Sequence, residues 1–250
     1  MPSLAHLLVP RRRRGVEFLD EPGVDPEIVK RSLADVARAN ALFGGGRAAV
    51  AELRRTMRAG ARITILDIGT GSGDIPRMVR EVAGRDGLDV RTLAVESSAA
   101  LATTANSAEL PVIIGDALAL PLRDASVDIA MCSQVLHHFE HDRAVRLLRE
   151  MDRVARHRAV VSDLRRSWIA AAGIWLASFP LGFHPVSRHD GVVSVMRGFR
   201  KHELVALVRE ATGTAAEAHD RLGFRVTVSW NPTGRAAAYS EHEPAMTEIA

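Results

Sequence analysis

The chain has 250 residues, 47% hydrophobic and 25% charged, with mean hydropathy near zero; such a chain buries a sizeable core, and the disordered and collagen-like classes are excluded. Its formal net charge of +3 sits at one end, since residues 1–60 hold 11 Lys and Arg against 7 Asp and Glu while residues 61–250 hold 22 against 23. The body therefore lacks the basic face that nucleic-acid binding demands, and the pI of 9.7 reflects a preference for Arg, Lys30 and Lys201 being the two lysines.

In chain order, residues 1–60 read as a helical cap or arm. Met1 to Pro10 is mildly apolar, but the run Arg11–Arg14 follows it and no small-residue cleavage site appears, so no signal peptide is expected. The Arg run reads as a solvated tail, with phosphate or anionic lipid as its functional alternative. Pro22, Gly23 and Pro26 mark a loop. Ile28, Val29, Leu33, Val36 and Ala37 then recur at helical spacing up to Asn40, Gly44–Gly46 break the helix, and a second helix is expected over Arg47–Arg58.

From Arg62 short apolar runs alternate with amphipathic stretches. Strands are expected at Ile63–Ile68, Val90–Val95, Val112–Ile114, Val127–Cys132 and Ala159–Ser162, and helices at Asp74–Ala83, Ser97–Asn106 and Asp142–Ala155. This alternation predicts βαβ units in an α/β, doubly wound and mostly parallel sheet, which binds ligands beyond the carboxyl ends of its strands. A helix at Leu204–Glu210 and strands at Thr214–Ala218 and Phe224–Trp230 complete a domain of residues 61–235, followed by a tail, 236–250. Cys132 is the one cysteine, so a disulfide or a multi-cysteine metal cluster is excluded, no metal is expected, and a cytoplasmic protein is the default.

The most informative stretch is Ile65-Leu66-Asp67-Ile68-Gly69-Thr70-Gly71-Ser72-Gly73-Asp74. A buried strand runs through glycines at alternate positions into a helix, where absent side chains let the backbone approach a ligand and the helix amino end offers free N–H groups. Glu96 follows the second strand, 23 residues after Gly73, where a carboxylate can accept both hydroxyls of a ribose. Asp116 follows the third, placed to accept from an exocyclic amine. The dinucleotide fingerprint does not fit, because the position its third glycine would occupy is Asp74.

These motifs, continued by Gly115-Asp116-Ala117-Leu118-Ala119-Leu120-Pro121-Leu122, Ser126-Val127-Asp128-Ile129-Ala130, Leu136-His137-His138-Phe139 and Leu147-Leu148-Arg149-Glu150-Met151-Asp152-Arg153-Val154, resemble the class I S-adenosylmethionine-dependent methyltransferases. The likeness covers residues 62–165 and is closest to the small-molecule, type 11 branch that includes quinone-biosynthesis enzymes. It implies a seven-stranded Rossmann-like sheet with S-adenosylmethionine as cofactor and S-adenosylhomocysteine as product. It also implies that Asp67, Gly69, Thr70 and Gly71 surround the methionine portion. Glu96 and Ser97 would take the ribose, Asp116 and Ala117 the adenine, and Ser133 or Gln134 would border the methyl group.

Methyl transfer from a sulfonium is an in-line displacement, so the protein must hold a nucleophile opposite the sulfur. A phenol or enol gains from a base titrating near neutrality, which directs attention to His137, His138, His141, His184 and His189. His189 is singled out with His138 and His137, because Arg188-His189-Asp190-Gly191 reads as a loop whose neighbours Ser194, Arg197 and Arg200 lack an evident structural need. The region from Asp163-Leu164-Arg165-Arg166-Ser167 to Asp190-Gly191-x-x-Ser194-Val195-x-Arg197-x-Phe199, with Asn40-x-x-x-Gly44-Gly45, is similar to methyltransferases found beside type III polyketide synthases. The insert 167–200 begins with an uncharged stretch, Ser167 to Ser187, in which Trp168, Trp175, Phe179 and Phe183 are expected to wall an apolar acceptor with Arg197. Gly173, Pro180, Gly182 and Pro185 interrupt this stretch, so stable membrane insertion is not expected, although interfacial contact while collecting a lipophilic substrate stays open. The reading is O-methylation of a small phenolic or polyketide-derived acceptor, with C-methylation of a quinone or aromatic ring, or a non-catalytic cofactor-binding partner module, as alternatives.

Overall fold

Chain segments buried on both faces run as short apolar strands, and those buried on one face coil into helices around them. The computed structural model describes residues 9–13, 15–21, 23–56, 62–106 and 110–233. The end of the second expected helix, Arg14 and the tail 236–250 lie outside the described residues. Helix α1 (Pro26–Phe43) starts with Pro26 in its first turn and the Asp25 carboxylate accepting from the Glu27 N–H at 2.8 Å. It ends at Gly44, whose φ of 80° the left-handed stop requires. Gly44 alone breaks the helix, and α2 (Gly45–Leu53) follows without a gap.

The body runs β1 (Arg62–Ile68), α3 (Asp74–Arg85), β2 (Asp89–Glu96), α4 (Ala99–Asn106), β3 (Val112–Ile114), β4 (Val127–Ser133), α5 (His141–Val154), β5 (Ala155–Leu164), α6 (Trp168–Ser178), α7 (Pro185–Arg197), α8 (Lys201–Thr212), β6 (Ala216–Arg221) and β7 (Arg225–Trp230). The seven strands form one sheet in the order β3-β2-β1-β4-β5-β7-β6. Pairing is parallel from β3 through β5, with Leu66 beside Leu93 and Ala130, and β7 runs antiparallel between β5 and β6. Period-2 alternation sorts each strand onto two layers. On β4, Ala130 and Cys132 pack with Leu147, Leu148 and Leu204 of α5 and α8, whereas Ile129 and Met131 pack with Leu53 and Val79 of α2 and α3.

The largest departure from expectation is after β5. Residues 185–197, including the stretch read as a loop around His189 and Asp190, form helix α7, with Pro185 in its first turn and the His184 Nδ1 accepting from the Val186 N–H at 3.3 Å. Gly191 interrupts the helical signal because α6 crosses there, the Ile174 side chain lying 3.4 Å from where a Cβ would stand. Among the described residues no helix is long and apolar enough to cross a membrane.

Trp230 closes the core at 1% exposure, its indole N–H donating to Asp152 at 2.9 Å. Trp230→Ala opens a cavity and removes one donor from that carboxylate, which Thr233 continues to serve. It is expected to cost about 3–5 kcal/mol in chemical denaturation; a loss below about 1 kcal/mol would contradict this packing.

Candidate active site

The sheet order reverses at β1, with β2 on one side and β4 on the other, and a cavity of about 800 Å³ opens beyond their carboxyl ends. Its floor is the turn after β1. Gly69, Gly71 and Gly73 have φ of 71°, 56° and 75°, and a Cβ on Gly69 would stand 2.6 Å from the Val135 side chain. Glu96, at the end of β2, accepts from the Gly71 and Ser98 N–H groups at 3.0 Å each, which fixes the turn against the neighbouring strand. Thr70, Ser97, Asp116, Ala117 and Ser133 also line the cavity. The Asp116 carboxylate accepts from the Leu118 N–H at 2.9 Å, and the buried Ser133 hydroxyl has no partner.

Asp67 is the exceptional group on this side. It is 2% exposed and its Oδ1 lacks a partner. Burial first, then the charges of Asp74 and Glu96, push its pKa up to about 7. A buried carboxyl among other acids at a cavity wall calls for a cation, and the ammonium and sulfonium of S-adenosylmethionine meet that need. The residues present therefore fit that group.

After β4, His137 and His138 line the cavity from a 3-10 turn. His137 is buried; its Nδ1 lies 2.7 Å from the Asp163 Oδ1 at the end of β5, and its N–H donates to the other carboxylate oxygen at 3.1 Å. In the neutral ring the hydrogen bond to Asp163 keeps the proton on Nδ1 and leaves Nε2 as the acceptor. That Nε2 has no hydrogen-bond partner and stands 3.9 Å from the Glu17 carboxylate. Although burial pushes the Asp163 carboxyl up, the hydrogen bonds from His137 and the Leu164 N–H, with the charge of His138, hold it below the usual carboxylate range.

His138 lines the cavity too, but its Nδ1 is 3.1 Å from Asp20. Burial opposes its charge, yet the hydrogen bond to Asp20 and the charges of Glu17, Asp20 and Asp163 raise its pKa. The pairing commits the His138 Nδ1 to Asp20 and favours the charged form of the ring. Asp20 is correspondingly lowered to about 2, because the His138 and Arg197 hydrogen bonds outweigh its burial. The Arg197 guanidinium joins the cluster, 2.9 Å from Glu17, 2.8 Å from Asp20 and 3.4 Å from His138. Glu17, His137 and His138 bring potential metal-ligand atoms within 4.8 Å of one another, but that guanidinium already supplies the cation there.

Several residues expected at the acceptor lie elsewhere. His189 is not part of the cavity wall: it projects half-exposed from α7, 2.9 Å from Asp190 and stacked against Phe18 at 4.6 Å. Asp190 accepts the Phe18 and Leu19 N–H groups at 3.0 Å each, so the His189–Asp190 pair anchors the N-terminal segment. Trp168, Trp175 and Phe179 point to solvent from α6, while Phe183 is buried behind it; none of the four lines the cavity. The apolar wall is built instead from Ile169 and Ile174 of α6, Val195 of α7 and Leu33 and Val36 of α1, with Phe43, Phe139 and Phe224. Arg197 also stays out of the lining and acts through Glu17 and Asp20. His141 pairs with Glu210 at 3.0 Å, away from the cavity.

The motifs had not singled out Glu17, Asp20 or Arg225, and Asn40 and Asp163 had entered only within longer patterns. Arg225 is buried, its pKa pushed down to about 10 by that burial against the charge of Asp163. It donates to Gln134, Gln134 to Asn40, and Asn40 to Asp74 at 3.0 Å, a chain from β7 through α1 to the start of α3. Gln134 holds a φ of 57°, a strained value for a non-glycine residue at the mouth of a site.

Residues 66–162 match the model of a family described as a methyltransferase domain. No curated protein matches the chain by sequence. Among solved structures, a SAM-dependent methyltransferase from Aquifex aeolicus superposes with a TM-score of 0.57 at 18% identity, covering 84% of this chain and 99% of that one. A Thermotoga maritima protein described as a SAM-dependent methyltransferase, possible histamine N-methyltransferase, gives 0.56 at 17%, covering 83% and 99%. The mitomycin 7-O-methyltransferase MmcR gives 0.59 at 18%, covering 87% of this chain and 61% of that one. At these identities the superpositions establish the fold.

Proposed function

The chain carries a class I S-adenosylmethionine-dependent methyltransferase domain across residues 66–162, and on that premise we propose that it methylates a hydroxyl of a small, largely apolar acceptor, phenolic or polyketide-derived. The observation that carries the reading is the His137 Nε2, buried, without a hydrogen-bond partner and at the cavity wall, with Asp163 on the other ring nitrogen. The apolar wall suits an acceptor of low polarity. The likeness to a 7-O-methyltransferase supports oxygen as the nucleophile.

The bound cofactor supplies an electrophilic methyl group. Asp67 would hold its ammonium, Glu96 would accept from the ribose hydroxyls, and Asp116 with the Ala117 amide would hold the adenine. On the acceptor side, the His137 Nε2 takes the hydroxyl proton as the oxygen's lone pair attacks. Asp163 and Glu17 stabilise the imidazolium that results. The N-terminal segment, tied down by Asp190 and Arg197, covers the cluster and keeps water from competing.

Incubation with labelled S-adenosylmethionine and a panel of phenols, alkylresorcinols, pyrones and quinols, scored by mass, tests this reading. One methyl gained by a hydroxylated member is expected; a panel with no product would count against it.

Asp67 gives the reaction a pH signature. Its carboxyl, raised to about 7 in the free protein, holds a proton below that pH which must leave before an ion pair forms. Affinity for S-adenosylhomocysteine is therefore expected to weaken by up to about tenfold per unit as pH falls below about 7. Calorimetry in buffers of different ionisation heat should register release of nearly one proton at about pH 6. Affinity that is flat from about pH 6 to about pH 8 would contradict the assignment.

A further inference from the structure

Helix α6 presents to solvent an apolar stripe that the acceptor cavity leaves largely unused. Trp168, Ile169, Trp175, Leu176 and Phe179 are 41–61% exposed. No Asp, Glu, Lys or Arg occurs from Ser167 to Ser187. Trp175 and Phe179 pack edge to face with ring centroids 5.0 Å apart, which gives the stripe a fixed aromatic relief.

The borders of the stripe are cationic. The Arg188 guanidinium lies 3.8 Å over the Phe179 ring and that of Arg13 5.3 Å from Trp168. Asp190, the first acid after the stripe, is buried and saturated by the Phe18 and Leu19 N–H groups, so it does not offset these charges at the surface. The stripe also borders the mouth of the cavity. Ile169 and Gly173 belong both to the exposed face of α6 and to the cavity lining, and Val36 on α1 does the same across the opening.

Large apolar and aromatic side chains rimmed by Arg are the composition of helices that lie in a lipid interface. A second copy of the chain seated symmetrically on the stripe would set Arg13 and Arg188 against their own counterparts with no acid on the stripe to neutralise them. Anionic headgroups neutralise them directly. We propose that the α6 stripe docks on an anionic phospholipid surface, which sets the cavity mouth at the hydrocarbon boundary so that a lipophilic acceptor enters without crossing water.

The test is sedimentation of the full chain with phosphatidylcholine vesicles, alone or containing a third phosphatidylglycerol, together with tryptophan emission. Trp168 and Trp175 report on the stripe, and Trp230, buried in the core, gives a constant background. Binding to the anionic vesicles is expected to be at least about tenfold tighter than to the neutral ones, weakened by salt and accompanied by a blue shift. The variant Trp175→Ser/Leu176→Ser/Phe179→Ser should lose at least about tenfold of that binding and keep its affinity for S-adenosylhomocysteine. Should it not fold, Arg13→Glu is expected to weaken anionic binding by about fivefold or more. Absence of binding to both vesicles, equal binding to both, undiminished binding by the variants, or dimerisation that buries Trp175 in place of vesicle binding would overturn the proposal. None of these readouts involves methyl transfer, so failure here leaves the proposed reaction standing.

Discussion

His137→Asn is expected to slow methyl transfer by about 10²–10⁴-fold, the usual contribution of a positioned general base. Asparagine is the telling replacement because its side-chain amide sits where the Nδ1 stood and still donates to Asp163, so the buried carboxylate stays paired. What disappears is the Nε2 acceptor. Affinity for S-adenosylhomocysteine should stay within about threefold of the parent, since the partners of His137 are Asp163 and Glu17 and not the residues assigned to the cofactor. A fall in affinity matching the fall in rate would recast His137 as structural, and a rate within about tenfold of the parent would remove it from the chemistry. Asp163→Asn should impair the rate as well, through the wrong ring tautomer, and the two variants should combine far less than multiplicatively.

Asp67→Asn has two effects of opposite sign. Cofactor affinity should collapse by at least about 10²-fold, as expected when a buried ammonium loses its counter-charge. The free protein should become more stable at neutral pH. A carboxyl raised from 3.8 to about 7 stabilises the fold while protonated, and that stability is lost as pH rises through about 7. The amide cannot ionise, so Asp67→Asn should raise the thermal midpoint of the free protein by about 5 °C or more near pH 8 and do little near pH 4. A variant less stable than the parent at pH 8, or one that binds S-adenosylhomocysteine as the parent does, would contradict the role assigned to this carboxyl.

Much of the cofactor side is legible in the linear chain because the signals there are local. Three successive strands each deliver their polar residue within two positions of the strand end, and the glycine turn carries its own backbone demands. Pairing of β1 with β2 and β4 then needs only that apolar runs seek burial on both faces. The acceptor side is decided by contacts between distant segments. Nothing near His137 or His138 distinguishes them; the choice comes from Asp163, 26 residues on, and from Glu17 and Asp20 at the other end of the chain. The aromatic residues of α6 share one helical face, but which face turns inward is fixed by α7, itself concealed by Gly191. His189 was the natural suspect because its neighbours are polar, and that polarity serves to anchor the N-terminal segment.

The most direct measurement is product analysis by NMR after turnover with S-adenosylmethionine carrying an isotope-labelled methyl group and the best acceptor of the phenol and pyrone panel. The account predicts that the labelled methyl appears at an aryl or enol ether shift, with no one-bond coupling to a ring carbon, and that His137→Asn abolishes this signal. A labelled methyl bonded to ring carbon, or an ether formed equally well by His137→Asn, would contradict it.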